Sequence, residues 1–206
     1  MLYLQDMSVD VLKSVLVGIC LAAPIGPVLL TVMQKTLSYG KGTGSKAALG
    51  CAVMDTVYAT LSFIALAFIK GFLEDHKLLV AIIGGCVVIA LGVMMMLSDP
   101  YSKYRERTAS GWAAFWEVAL IILTNPGSIL YDFTVCTFFG LEARGWELLP
   151  LSLGVFAGEA LFWTLIILLF GRLHHRLGRE TIVKLSKLSG AVLLVCGIVI
   201  MVKGFI

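Results

Sequence analysis

Long apolar runs alternate with short polar stretches along the whole chain. Six runs stand out, at residues 11–33, 47–69, 78–97, 112–140, 148–170 and 185–202. Each falls in or above the range of roughly 17–25 residues that crosses a bilayer as a helix. In hydrocarbon the backbone must satisfy its own hydrogen bonds, which a helix does within one segment. The period-two alternation of a membrane β-strand is absent. The pattern predicts an all-α integral membrane protein with six transmembrane helices.

Composition sharpens this picture. Of the 206 residues, 59% are hydrophobic and 14% charged, and the mean hydropathy is +0.97. A soluble domain carries about 25% charged residues. Six crossings use nearly the whole length, so a single transmembrane domain over residues 1–206 is expected, with no appended module. The first run reads as a retained helix rather than a signal peptide. Asp6 and Asp10 precede Lys13, and Pro24 follows the small pair Ala22-Ala23.

Short loops make neighbouring helices antiparallel. Eleven of the 16 Lys and Arg fall in alternate loops: Lys35, Lys41, Lys46, then Lys103, Arg105, Arg107, then Arg172, Arg176, Arg179, Lys184, Lys187. The positive-inside rule puts these loops in the cytoplasm and both termini outside. Tyr101, Tyr104, Trp112 and Trp116 gather near one interface and Trp146 marks the other. The basic stretch 171–187 is expected to lie along the inner leaflet, held by anionic lipids.

Two halves of three helices then have opposite orientations. That is the arithmetic of an inverted repeat, about 8–98 and about 111–206. Pro24-Ile25-Gly26-Pro27 interrupts the first helix near its middle, and Asn125-Pro126-Gly127 interrupts the fourth. Proline removes a donor and clashes with the preceding turn, so both helices should kink or unwind at mid-membrane. A lone proline often only kinks a helix, but matched breaks in inverted halves are the best sequence pointer to a transport site.

Acids complete the candidate site. Asp55 lies mid-way along the second helix and Glu159 mid-way along the fifth; Asp132 follows the second break by about two turns. An acid at the bilayer centre costs ~2.5–3.5 kcal/mol on insertion scales. No Lys or Arg is expected at comparable depth to pair with them. Such acids suit a proton relay or a site for a cationic group; the alternative is that they cap the exposed amides of the broken helices. Glu117 is expected nearer the interface, within reach of water. The site residues are therefore Pro24, Gly26, Pro27, Asp55, Asn125, Pro126, Asp132 and Glu159.

Other features read as packing. Cys20, Cys51, Cys86, Cys136 and Cys196 form no C-x-x-C pair, and His76, His174 and His175 sit in polar stretches. No cofactor and no metal site is expected, and no nucleic acid partner. Met94, Met95 and Met96 point in different directions on a helix, which suits packing rather than a soft-metal site. Gly154 and Gly158 form a G-x-x-x-G pair that allows close helix approach and is compatible with a homodimer.

At these residues the chain resembles the LysE-type (lysine exporter) family of bacterial translocators. Pro24-Ile25-Gly26-Pro27, the glycine-rich run Gly40-Lys41-Gly42-Thr43-Gly44, Ala48-Leu49-Gly50 with Asp55, and Asn125-Pro126 look like that family's motifs in order. So do a Gly-rich fifth helix, an Arg-rich loop and Ser189-Gly190. The resemblance implies export of amino acids or similar small molecules across the bacterial inner membrane, driven by a proton or ion gradient. It implies that Pro24, Gly26, Pro27, Asp55, Asn125 and Pro126 line the transport site. The family's usual P-G-P reads P-I-G-P here, Met54 stands in place of a glycine, and Asp132 and Glu159 stand where apolar or small residues are usual. The extra acids favour a cationic substrate or altered proton coupling.

Three function classes remain on the sequence. A secondary active transporter with a small-molecule substrate leads, and an ion or metal-cation transporter or channel is the alternative. A membrane-embedded enzyme is disfavoured: Ser128 is within a turn of Asp132, but no histidine lies at that depth to complete a site.

Overall fold

A computed structural model of the protein describes residues 2–24, 26–99, 109–173 and 179–204. Ile25, Tyr101, Lys103, Tyr104, Arg105, Arg107, His174, His175 and Arg176 lie outside the described residues. The surface segment expected at 171–187 therefore falls partly outside them.

The described residues form eight α-helices: α1 (Leu2–Ala22), α2 (Pro27–Tyr39), α3 (Lys41–Asp75), α4 (Lys77–Leu97), α5 (Trp112–Leu123), α6 (Pro126–Phe139), α7 (Leu148–Leu173) and α8 (Arg179–Gly204). A 3-10 turn, Gly145–Glu147, leads into α7. Four helices are long and apolar enough to cross a membrane: α3, α4, α7 and α8. The pair α5 and α6 passes the same test as one span bent by 76°. Where the sequence predicts six crossings, α1 and α2 do not meet that criterion. Asp6, Asp10 and Lys13 dilute the apolar character of α1.

The two breaks have local causes. Pro27 opens α2 at a position where its missing N–H costs nothing. Asn125 caps α6 by accepting a hydrogen bond from the Gly127 N–H at 3.1 Å, and Pro126 takes the first helical position. Two glycines with positive φ, Gly40 at 84° and Gly140 at 64°, end α2 and α6. That backbone suits glycine because a Cβ would strain it. The glycine-rich stretch 40–44, expected as a loop, is instead a single turning glycine followed at once by α3.

Exposure is inverted relative to a soluble protein. Leu12, Leu16, Leu61, Phe68, Leu149, Leu153, Leu161 and Leu165 are exposed, while Lys35, Asp55, Glu117, Asp132 and Glu159 are buried. This is the distribution lipid demands of its solute. Helices α3 and α7 are the central pair. Of their best apolar windows 44% and 39% are buried, against 17% for α4 and α8, which pack on one another at the side. Trp112, Trp116 and Trp146 are exposed, as interfacial aromatics should be.

Helix α1 runs parallel to α7 in close contact. A Cβ on Gly158 would collide with the Val15 carbonyl, and one on Gly18 with the Val155 carbonyl. The G-x-x-x-G pair Gly154–Gly158 thus packs against α1 of the same chain, rather than offering a free face to a second copy.

Candidate functional site

The acids on α3 and α7 are brought together. Asp55 is 6% exposed and Glu159 0%. The antiparallel helices that carry them are pinned by a 2.6 Å hydrogen bond between the hydroxyls of Thr60 and Ser152. Each acid is braced by a residue one turn away on its own helix. The Cys51 thiol donates to Asp55 Oδ2 at 3.2 Å, and the Trp163 indole N–H donates to Glu159 Oε2 at 2.8 Å. One ligand atom each from Cys51, Asp55 and Glu159 lie within 4.8 Å of one another, all buried.

Asp132 on α6 is 2% exposed and lies within electrostatic reach of both Asp55 and Glu159. Its Oδ2 is buried without a hydrogen-bond partner, whereas the Glu159 carboxyl is within hydrogen-bond reach of Asp55, a contact that needs a proton on one of the two. Among the described residues, no Lys or Arg is ion-paired to these three acids. Two carboxylates at that separation repel by at least about 3.5 kcal/mol at an effective dielectric of 20. The pair therefore suits a proton, or a cation, held between its members.

The broken helices frame this cluster through two tyrosines. Tyr131, beside Asp132, donates its hydroxyl to the Cys20 carbonyl at the end of α1, at 2.8 Å. Tyr58, one turn beyond Asp55, donates to the Leu123 carbonyl at the end of α5, at 3.4 Å. The carbonyls left without a partner at a helix C-terminus carry partial negative charge. Both half-helix ends are thus tied to helices that carry an acid, and both add to the negative potential there.

The other expected site residues sit at the breaks rather than among the acids. Pro24 is half-buried in the bend after α1, Gly26 precedes α2 in extended conformation, and Pro27 begins it. Asn125 and Pro126 are exposed. The cap on α6 comes from Asn125, so none of the three acids is needed for that task.

Two sequence expectations change. The first concerns Lys35, placed in a loop, and Glu117, placed near water without a cationic partner at its depth. Lys35 lies in α2, is fully buried, and faces Glu117 of α5 at 3.0 Å, with the Ala109 carbonyl at 2.6 Å. A buried carboxylate needs such a counter-charge, and the break after α1 swings α2 to where it can supply one. The second concerns Cys51, read as a packing residue. It stands beside Asp55 because four residues make one helical turn, a spacing already visible in the sequence.

A bundle with lipid-facing apolar surfaces, buried acids at its centre and broken helices at its flanks defines a polytopic membrane protein with a charged interior site. The chain matches the LysE type translocator family over residues 19–204, and it belongs to that family of membrane transporters. It is also similar to the uncharacterized membrane protein YahN of Escherichia coli (strain K12), 28% identical over 142 residues. That match covers 65% of this chain and 64% of the relative, so the chain spans under two thirds of the relative's length. No solved structure gives a significant match.

Proposed function

We propose that the protein is a secondary active exporter of small, cationic solutes, amino acids among them, in a bacterial inner membrane. The observation that carries this reading is the meeting of Asp55 and Glu159, from the two central helices, in a buried place where, among the described residues, no Lys or Arg is ion-paired to them. Such a place attracts a cationic group and can trade it for a proton. Asp132 adds a third acid from the broken span. The working cycle is alternating access, in which two halves rock around the site between the broken helices and substrate shifts the balance of inward-open and outward-open states.

Several features support two inverted halves in a six-crossing arrangement, for which the distribution of Lys and Arg favours both termini outside. Gly50 and Asp55 on α3 have the same spacing as Gly154 and Glu159 on α7. Gly50 packs closely on α5, and Gly154 packs closely on α1. The contacts of α1 with α7 are therefore the counterpart of those of α5 with α3, and α4 pairs with α8. Because α1 lies along α7, it shares the depth of a helix that spans. In this arrangement Pro24, Gly26 and Pro27 match Asn125 and Pro126 as hinges of the moving halves.

Uptake into inverted membrane vesicles tests the reading. Radiolabelled basic and neutral amino acids should accumulate saturably under an imposed pH gradient, and Asp55→Asn should abolish accumulation. Equal accumulation in vesicles lacking the protein, or in the folded Asp55→Asn variant, would refute it.

A further inference from the structure

We propose that Cys51, Asp55 and Glu159 form a binding site for a thiophilic divalent metal cation of the zinc class. The inference rests on the reading above, that the acid cluster is the transport site, and names a substrate class for it.

The donor set argues for this ion. One sulfur and two carboxylates suit zinc or cadmium, whereas magnesium and calcium take oxygen ligands alone. The three donors come from two helices and converge within 4.8 Å. A tetrahedral shell with metal–ligand distances of about 2.0–2.3 Å sets its donors about 3.3–3.7 Å apart. Small side-chain rotations close that difference, since Cys51 and Asp55 already touch at 3.2 Å.

A second observation points to a ligand. Glu159 is 0% exposed; its Oε2 accepts from Trp163, and its carboxyl otherwise meets that of Asp55, an acceptor that can satisfy it only through a shared proton or a bridging cation. Asp132 Oδ2 is buried without a hydrogen-bond partner. Buried polar atoms are otherwise almost always hydrogen-bonded, and an exception calls for an explanation such as an ion. A divalent cation balances the two carboxylates and displaces the proton they would otherwise share, and with the Cys51 thiolate the filled site carries one net negative charge. The Sγ–metal bond forms as the thiol proton leaves to water. Three protein donors leave one position open, as in a site that exchanges its ligand, rather than the closed four-donor shell of a structural zinc. The Trp163 N–H fixes the orientation of Glu159, the usual task of a partner behind a ligand.

The test uses the purified full-length protein in detergent, titrated with Zn2+ and Cd2+ against a chromophoric chelator. Cadmium binding is also read from the ultraviolet charge-transfer absorption of the Cd–thiolate bond. One ion per chain is expected, with the absorption retained when Cys20, Cys86, Cys136 and Cys196 are all replaced by Ala. Cys51→Ala should abolish the absorption and weaken binding by more than the ~10–100-fold typical of losing an outer-shell partner. Cys51→Ser keeps the size of the side chain and should lose the absorption while the protein stays folded. Excess Mg2+ should not compete. Failure of the folded protein to bind, or binding unchanged in Cys51→Ala, overturns the site. If no metal binds while amino-acid uptake into vesicles still depends on Asp55, the metal inference fails and the exporter reading stands. If the metal binds as described but neither metal nor amino acid is transported, the site stands and the exporter reading fails.

Discussion

The pair Lys35–Glu117 offers a perturbation whose size follows from geometry. Lys35 is 0% and Glu117 6% exposed at the side chain, with Nζ and Oε2 3.0 Å apart. At an effective dielectric of 20 their attraction is about 5 kcal/mol. Glu117→Gln removes the carboxylate that Lys35 faces and leaves an ammonium group inside the protein. Breaking one side of a buried pair costs ~3–5 kcal/mol. For a chain of this size each kcal/mol lowers Tm by about 2–4 °C, so the variant should melt roughly 6–20 °C below the parent. The double variant Lys35→Met with Glu117→Leu removes both charges and their desolvation cost, and should recover most of that loss. Thermal unfolding of purified protein in detergent, followed by tryptophan fluorescence, measures all three. A single variant within about 1 kcal/mol of the parent, the worth of a surface pair, would refute the reasoning. So would a double variant no more stable than the single one.

Other expectations follow from the same contacts. Tyr131→Phe removes one of two donors to the Cys20 carbonyl at the end of α1, the Ala23 N–H remaining, and should cost ~0.5–1.5 kcal/mol, read in the same unfolding assay. Gly158→Val puts a side chain where the Val15 carbonyl of α1 lies, and should separate α1 from α7; the check is loss of the monodisperse peak in size-exclusion chromatography, while Leu161→Val on the exposed face should leave it intact. Trp163→Phe keeps the ring but deletes the N–H that orients Glu159; uptake into inverted vesicles should slow by an order of magnitude or more at unchanged expression.

Much of this protein was legible in the order of its residues. Apolar runs of membrane length admit only helices, because lipid offers no partner for an unsatisfied peptide group. The breaks at Pro24–Pro27 and Asn125–Pro126 were equally legible, since proline's missing donor acts wherever the chain goes. Asp55, Asp132 and Glu159 stood out because a carboxyl in an apolar run is costly in any fold. What the three acids do together was not legible. Asp55 and Glu159 are 104 positions apart, and only the antiparallel packing of α3 on α7 sets them side by side with Cys51 between the turns. The Lys35–Glu117 pair was hidden for the same reason. A lysine next to a polar stretch looks like a loop charge until a bend in the helix carries it inward to meet an acid 82 residues away. Local chemistry follows from the sequence because each residue carries its own solvation cost, whereas pairing depends on which helices touch, and that was decided by packing.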